Sequence, residues 1–195
     1  MSVNYDPIAK QYLMERAKLG SDKYVHKLLN YLKPESNILD LGCGAGVPVD
    51  NILLKAGHSV MGIDISREQI KLARQKCRGG RYEVGDICEL KPGQYKAEAI
   101  VSFYTMFHIP REKHLPLLKV MASYLRPGGW LLISMGEVEF QGEHMMYGRG
   151  VWASQYGRLT NCKMIKEAGY RIFLEEIDRS GGENHQIIMA KKLGR

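Results

Sequence analysis

The strongest constraint on how this chain folds is a set of glycines at alternate positions directly after a short apolar run. The run Ile38–Leu41 is typical of a buried strand in a parallel sheet. The glycines that follow it are Gly42, Gly44 and Gly46. Glycine lets the backbone turn tightly and pass close to a ligand, because no Cβ intervenes. A helical pattern follows over 47–56, so this stretch predicts a ligand site at the start of a helix.

The glycine spacing distinguishes between classes of nucleotide. A dinucleotide fingerprint, G-x-G-x-x-G, would need a third glycine at Val47 or Val49, so a nicotinamide dehydrogenase is excluded. The pattern D-x-G-x-G-x-G, which begins at Asp40, instead resembles the first motif of the class I S-adenosylmethionine-dependent methyltransferases. The resemblance implies that this stretch binds S-adenosylmethionine, and its product S-adenosylhomocysteine, through Asp40, Gly42, Cys43, Gly44 and Gly46.

A second acidic residue stands at the end of the next apolar strand, 58–65. Asp64 would lie beside the glycine turn, where a carboxylate can accept hydrogen bonds from a ribose diol, with Ile65 next to it. A strand-end aspartate can also cap the following helix. Ser66 with Gln69 already forms a capping pattern, so we expect Asp64 to remain available to the ribose.

The resemblance also implies a place for the adenine ring. The strand 81–87 ends in Asp86, which would accept a hydrogen bond from the exocyclic amine, while Ile87 packs against the ring. Phe103, at the end of the fourth strand, is a further candidate for cofactor contact. Tyr12 lies on a predicted N-terminal helix that either folds over the cofactor or merely packs.

Strands and helices alternate regularly from residue 38 to 134, which predicts a parallel sheet. A fourth strand over 99–105, a helix over 111–125, a stop and turn at 126–129 and a fifth strand over 130–134 continue this order. A helix over 158–168 and strands over 170–178 and 185–191 complete the chain. The predicted fold is α/β, a single doubly wound, mostly parallel seven-stranded sheet with a C-terminal antiparallel hairpin and helices on both faces.

The whole chain, 1–195, is predicted to form one methyltransferase domain. Two segments fall outside the alternating pattern. Residues 1–35 suggest two helices that form an N-terminal cap, and residues 136–157 are rich in glycine and aromatic side chains. We predict that 136–157 is a lid that faces the substrate.

Candidate bases are few. His108 follows the fourth strand, where an acceptor would approach the methyl group, and an imidazole there could remove a proton from it. His144, in the predicted lid, is the competing candidate. The sequence shows no Ser/His/Asp arrangement and no spacing of metal ligands, so we expect neither hydrolytic nor metal-dependent chemistry.

Charge and cysteine usage limit the partners. The formal net charge is +7, and a basic stripe along one predicted helix is typical of a solvated helix face. No aromatic residues alternate with these charges, so a nucleic-acid partner is not favoured. No apolar run approaches the length of a membrane span, and the first residues lack a basic segment followed by an apolar one, so we expect neither a membrane span nor a secretory signal. Four cysteines without paired spacing suggest a reduced, cytoplasmic location.

These features together predict a methyltransferase that acts on a small molecule. A nucleic-acid or protein methyltransferase is the main alternative, although amino-directed nucleic-acid enzymes carry a pair of prolines after the fourth strand and this chain has Ser102-Phe103-Tyr104-Thr105. A binding module that holds the cofactor without catalysis is the other alternative.

Overall fold

The structure, a computed structural model, describes residues 20, 22–146, 148–180 and 184–194. Its helices are α1 (Asp22–Leu29), α2 (Val49–Lys55), α3 (Arg67–Lys76), α4 (His114–Tyr124) and α5 (Arg158–Glu167). Its strands are β1 (Asn37–Leu41), β2 (Ser59–Asp64), β3 (Arg81–Val84), β4 (Ala97–Ser102), β5 (Leu125–Gly136), β6 (Phe140–Met146), β7 (Arg149–Gln155), β8 (Tyr170–Asp178) and β9 (His185–Lys192). Short 3-10 turns occupy Ile87–Glu89, Met106–His108 and Arg111–Lys113.

Seven of the described strands form one sheet in the order β3-β2-β1-β4-β5-β9-β8. Strands β1 to β5 pair in parallel, whereas β9 is antiparallel to both of its neighbours, β5 and β8. The predicted fold class, including the C-terminal antiparallel hairpin, is therefore confirmed. The chain reverses its direction of winding between β1 and β4, which is where ligands bind in open α/β sheets.

Apolar side chains cover both faces of the sheet, because alternate residues of a strand point to opposite sides. One face packs against α1 and α2, with Val25, Leu53 and Val101 fully buried. The other face packs against α4 and α5, with Leu118 and Ile165 fully buried. The prediction of helices on both faces is confirmed.

The start of β5 differs from the prediction. We expected residues 126–129 to stop the helix and form a turn before a strand at 130, but the strand already begins at Leu125. Ala97 pairs with Leu125 and Ala99 pairs with Trp130. Residues 126–129, which lie between these two pairs on β5, therefore form a bulge inside the ladder. Gly128, at a φ of +82°, allows that irregularity.

The segment predicted as a lid, 136–157, contains a β-hairpin. Strands β6 and β7 pair antiparallel from Phe140 opposite Gln155 to Met146 opposite Arg149, and they form a two-stranded sheet of their own. Gln155 stabilises the open end of this hairpin, because its Nε2 donates a hydrogen bond to the carbonyl oxygen of Val138 at 2.8 Å. The side chain of Gln155 lies over Gly136, where a Cβ would collide with it.

The N-terminal cap can be followed only from α1. This helix buries Tyr24, Val25 and Leu28 against the sheet. The first predicted helix, which carries Tyr12, lies outside the described residues. In the described ranges, every helix falls short of the length and apolar character that crossing a bilayer requires.

Candidate functional site

The glycine turn after β1 is held against the end of β2. The backbone N–H groups of Gly42 and Cys43 both donate to the carbonyl oxygen of Ile63, at 2.8 and 3.1 Å. The three glycines have φ angles of +78° at Gly42, +54° at Gly44 and +72° at Gly46. This left-handed backbone is costly for residues with a Cβ, which explains why glycine occupies all three positions.

The surroundings of the three glycines differ. A Cβ on Gly42 would collide with a neighbouring threonine side chain, and one on Gly46 would lie 2.8 Å from the carboxylate of Asp50. Around a Cβ on Gly44, the described residues place a single atom within 4 Å, the Oε1 of Gln69 at 3.8 Å. Gly44 therefore borders open space, and its backbone is the part of the turn that a ligand can approach.

Asp64 ends β2, and its carboxylate is bonded to nearby backbone. Its Oδ2 accepts from the N–H of Gly44 and its Oδ1 from the N–H of Ser66, each at 2.9 Å. The predicted cap is present, since the Ser66 hydroxyl accepts from the Gln69 N–H at 3.1 Å. The cap does not leave Asp64 without local bonds, because the N–H groups of Gly44 and Ser66 both point at its carboxylate. The predicted contact of Asp64 with the ribose stays a prediction. A carboxylate oxygen can accept more than one hydrogen bond, so these backbone bonds are compatible with a further bond from a ligand.

Asp86 and Ile65 lie at the same edge of the sheet and are exposed, whereas Ile87 is not. Asp86 caps the following 3-10 turn, with its Oδ1 accepting from the Cys88 N–H at 2.8 Å. Ile65 is 41% exposed. Ile87 is only 6% exposed and packs into the same core as α4. Only a small part of its side chain is therefore available for contact with an adenine ring.

A pair of buried acids lies behind the glycine turn. Asp40 is 3% exposed and Asp50, in the first turn of α2, is 0% exposed. Burial raises the pKa of the Asp50 carboxyl to about 7, and the neighbouring side chains of Asp40 and Tyr82 partly oppose the shift. An aspartate in the first turn of a helix is usually solvated, so this burial is unusual.

The Cys43 side chain points into the protein. A Cβ on Gly62 of β2 would lie 2.7 Å from the Cys43 sulfur, which shows that the thiol fills the space left by this glycine. Burial raises the pKa of the Cys43 thiol. The Cys43 thiol therefore does not face a ligand at the turn, and only the Cys43 backbone can do so.

The segment after β4 touches the glycine turn. The Ser102 hydroxyl donates to the carbonyl of Leu41 at 2.7 Å, and the Thr105 hydroxyl donates to the carbonyl of Gly42 at 3.3 Å. Between them Tyr104 has a φ of +56°, a strained value for a residue with a side chain. Its N–H donates to the buried Ser134 hydroxyl at 2.5 Å, which holds it in that conformation.

The same segment also contributes to a histidine-lined cavity of about 200 Å³. Its lining includes Phe107, Phe140, His144 and His185. His108 lies next to this cavity and is partly buried, and burial lowers the pKa of its imidazole to about 4. The structure thus brings His144 into the cavity with His185, while His108 is a weak base beside it.

Of the two remaining cofactor candidates, one lies in the core and one outside the described residues. Phe103 is 4% exposed and packs in the core between the sheet and α2. Tyr12 is outside the described residues, so its role stays a prediction. Within the described part of the chain, no group of three or more His, Cys, Asp or Glu residues is arranged to hold a metal ion.

Sequence reasoning missed three residues of this site. Asp50 reads as an ordinary helix-start acid, and Tyr104 reads as one aromatic residue at the end of a strand. His185 begins β9, about eighty residues after Tyr104, yet the two rings lie 4.7 Å apart. No short motif links them, because the two residues meet only through the pairing of β9 with β5, which was not predicted.

Comparison with known proteins identifies the central part of the chain. A family model described as a methyltransferase domain matches residues 38–129. Methyltransferase GfsG of Streptomyces halstedii is 31% identical over 103 residues, which cover 50% of this chain and 36% of that protein. A ubiquinone biosynthesis O-methyltransferase of Xanthomonas campestris is 29% identical over 131 residues, or 59% of this chain and 53% of that protein. The chain therefore spans about one third to one half of the length of these curated relatives.

The fold is shared with solved methyltransferase structures. Magnesium protoporphyrin IX methyltransferase of Synechocystis, solved with bound S-adenosylhomocysteine, superposes with a TM-score of 0.74 at 20% sequence identity. The match covers 98% of this chain and 89% of that one. The chain therefore shares the fold of these methyltransferases, and its residues 38–129 match a methyltransferase domain.

Proposed function

We propose that this protein binds S-adenosylmethionine and transfers its methyl group to a small-molecule acceptor. The observation that carries the proposal is the open space at Gly44, which lies at the switch point of the sheet and next to the carboxylate of Asp64. S-adenosylmethionine supplies an activated methyl group on a positively charged sulfur.

The residues around the glycine turn fit such a ligand. The two oxygens of Asp64 can each accept from a ribose hydroxyl as well as from the backbone, and the exposed Asp86 can accept from the adenine amine. Asp40 is buried, so it would act on the amino group of the ligand through the turn or a water. The carboxylates at this edge also favour a cation over an anionic dinucleotide.

A small-molecule acceptor is supported by the names of the relatives. Ubiquinone biosynthesis O-methyltransferase and magnesium protoporphyrin IX methyltransferase are both named for small molecules. The segment after β4 lacks the paired prolines of amino-directed nucleic-acid enzymes. We propose that the β6–β7 hairpin is the lid that faces this acceptor, and that the protein is cytoplasmic.

Calorimetric titration tests the cofactor. We expect one site for S-adenosylhomocysteine and none for NAD, because Val47 and Val49 stand where a dinucleotide site needs glycine. Incubation of the protein with isotopically labelled S-adenosylmethionine and a metabolite extract then tests the transfer, with the protein-free mixture as the control.

The two measurements separate the alternatives. Tight binding of NAD would contradict the proposed cofactor. Binding of S-adenosylhomocysteine with no labelled product in any extract would instead favour a binding module. Labelled protein or nucleic acid, in place of a labelled metabolite, would move the proposal to a macromolecular acceptor.

Asp64 should contribute strongly to cofactor affinity. Charge-assisted hydrogen bonds contribute ~1.5–3 kcal/mol each, so we expect Asp64→Ala to weaken S-adenosylhomocysteine binding by roughly 10- to 100-fold. Asp64→Asn, which keeps one acceptor oxygen but loses the charge, should fall between. Both affinities are measured by calorimetry.

A second ligand separates direct contact from the bonds that Asp64 makes to Gly44 and Ser66. An analogue without the ribose 2′-hydroxyl should bind the native protein more weakly, yet lose much less affinity on Asp64→Ala. If both ligands lose affinity equally, Asp64 acts only by shaping the turn, and the ribose does not contact it.

A further inference from the structure

We propose that the cavity beneath the β6–β7 hairpin is the acceptor site, that it takes the hydroxyl of a single aromatic ring, and that His185 is the base that removes the hydroxyl proton. This inference rests on the proposed function, because it names the acceptor class and the catalytic residue for that transfer.

The position of the cavity is the first support. Thr105 donates to the glycine turn through its hydroxyl, while Phe107, two residues later, lines the cavity. The same short segment therefore contacts the cofactor turn through Thr105 and lines the cavity through Phe107. A group bound in the cavity would lie next to the place where the proposed cofactor binds.

The lining of the cavity indicates the kind of molecule that fits. Phe107 and Phe140 supply aromatic surface, and the polar side chains are those of His144, Gln155, Asn184 and His185. Among the described residues that line it there is no Asp, Glu, Lys or Arg. A cavity of about 150 Å³ is large enough for benzene, so the volume here, about 200 Å³, suits one substituted ring with a polar group.

His185 is held in this cavity by rigid elements. It is the first residue of β9 and pairs with Gly136 at the end of β5. Its ring packs against Tyr104 at 4.7 Å, edge to face, and against Phe107 at 5.3 Å. Tyr104 is the residue with the strained backbone, and such strain persists only where the surrounding structure imposes it, often at functional sites.

His185 is better suited to act as a base than the other two histidines near the cavity. His108 has a pKa of about 4 because it is buried, and so weak a base takes a hydroxyl proton poorly at neutral pH. His144 lies on the hairpin rather than on the main sheet. His185 lies on the main sheet next to the segment that contacts the cofactor turn, so its position relative to the methyl donor is fixed.

Several ionisable groups lie near His185 or next to the residues that it contacts. They come from four parts of the structure: Tyr104 and His108 after β4, His144 on β6, Asp178 opposite His185 on β8, and Lys23 and Tyr24 on α1. Lys23 pairs with Asp178 at 2.9 Å, so the charge of this carboxylate is largely balanced. The ionisation of these groups will contribute to the pH dependence of the reaction. Comparison of His185→Gln with the native protein isolates the contribution of His185.

The proposed step conserves atoms and charge. The hydroxyl proton of the acceptor moves to a ring nitrogen of His185. The acceptor oxygen forms a bond to the methyl carbon, and the carbon–sulfur bond breaks with its electron pair left on the sulfur. The products are a methyl ether, S-adenosylhomocysteine and a protonated His185, which returns its proton to water.

Binding is tested first, with 4-methylphenol as the probe. In protein saturated with S-adenosylhomocysteine, the probe should shift the histidine NMR signals of His144 and His185 and leave that of the exposed His26 on α1 unchanged. If saturating probe shifts neither His144 nor His185, the cavity is not the acceptor site and the proposal is overturned.

Catalysis is tested with two phenols and labelled S-adenosylmethionine. For 4-methylphenol, His185→Gln should lower kcat/KM by roughly 100-fold or more at neutral pH, the usual contribution of a general base. For 4-nitrophenol assayed at pH 8, where this phenol is mostly ionised, the same variant should stay within about 5-fold of the native protein. His26→Gln serves as the control and should change neither rate. Equal losses with both phenols, or no loss with either, would overturn the role of His185 as a base.

The outcomes also separate this proposal from the proposed function. If S-adenosylhomocysteine binds and an extract yields a labelled metabolite, but neither phenol is methylated, the acceptor class is wrong and the proposed function stands. If S-adenosylhomocysteine does not bind at all, the proposed function fails independently of His185.

Discussion

Replacing Gly44 by valine should reduce S-adenosylhomocysteine affinity by roughly 100- to 1,000-fold while the protein remains folded. A side chain at Gly44 would enter the open space next to the turn, where the described residues offer only one atom within 4 Å. A ligand excluded from the backbone there would lose about 3–4 kcal/mol of contact and hydrogen bonding. Calorimetry measures the affinity, and far-UV circular dichroism with thermal unfolding reports the fold.

The backbone strain of this substitution needs its own control. Gly44 has a φ of +54°, so valine will cost stability there whatever the ligand does. Gly57, after α2, has a φ of +84°, and a Cβ there would have no atom of the described residues within 4 Å, so Gly57→Val introduces similar strain away from the turn. Gly57→Val should keep full affinity. If Gly44→Val also keeps it, the ligand does not approach Gly44 and the proposed site is wrong.

Replacing Asp50 by asparagine should remove much of the pH dependence of stability between pH 4 and 8. Burial raises the pKa of Asp50 from 3.8 to about 7, so the folded protein holds a proton there that the unfolded chain releases. A shift of this size corresponds to about 4 kcal/mol. The contribution is fully present below pH 3.8 and is lost as the pH rises through 7.

The difference between the variant and the native protein is the quantity to measure. Denaturant unfolding at pH 4, 5, 6, 7 and 8 should show Asp50→Asn gaining stability relative to the native protein as the pH rises. The asparagine itself adds an offset that does not change with pH. Glu89→Gln, at an exposed site, should show no such trend and serves as the control. A difference that stays constant across the pH range would mean that Asp50 ionises freely in the folded state.

The fold was accessible from the sequence because it depends on local patterns. The prediction of strands over 170–178 and 185–191 agrees with β8 and β9 to within one residue, since apolar alternation and the polar run between them mark both ends. The pairing within 136–157 was not predicted, because a two-stranded ribbon has a single neighbour and shows little alternation between apolar and polar residues. The start of β5 was missed because Pro127 and the two glycines after it are typical of a turn, and a bulge has the same composition.

The site was only partly accessible, because its features depend on which residues meet in space. The glycine turn and the strand-end acids follow from spacing along the chain. The surroundings of Asp50 on α2 include Tyr82 of β3, and the bonds of Asp64 depend on two backbone N–H groups whose direction no residue type encodes. The meeting of His185 with Tyr104 depends on the insertion of β9 next to β5.

That insertion has a consequence for how the chain can fold. Because β9 lies between β5 and β8, the edge of β5 stays without its partner until the last strand is made, and β8 has no other described strand to join. Until then the apolar edge of β5, with Leu132 and Ile133 fully buried in the finished sheet, can pair with another chain. Completion of the sheet is thus a late and long-range event, so aggregation during synthesis competes most strongly while β9 is missing.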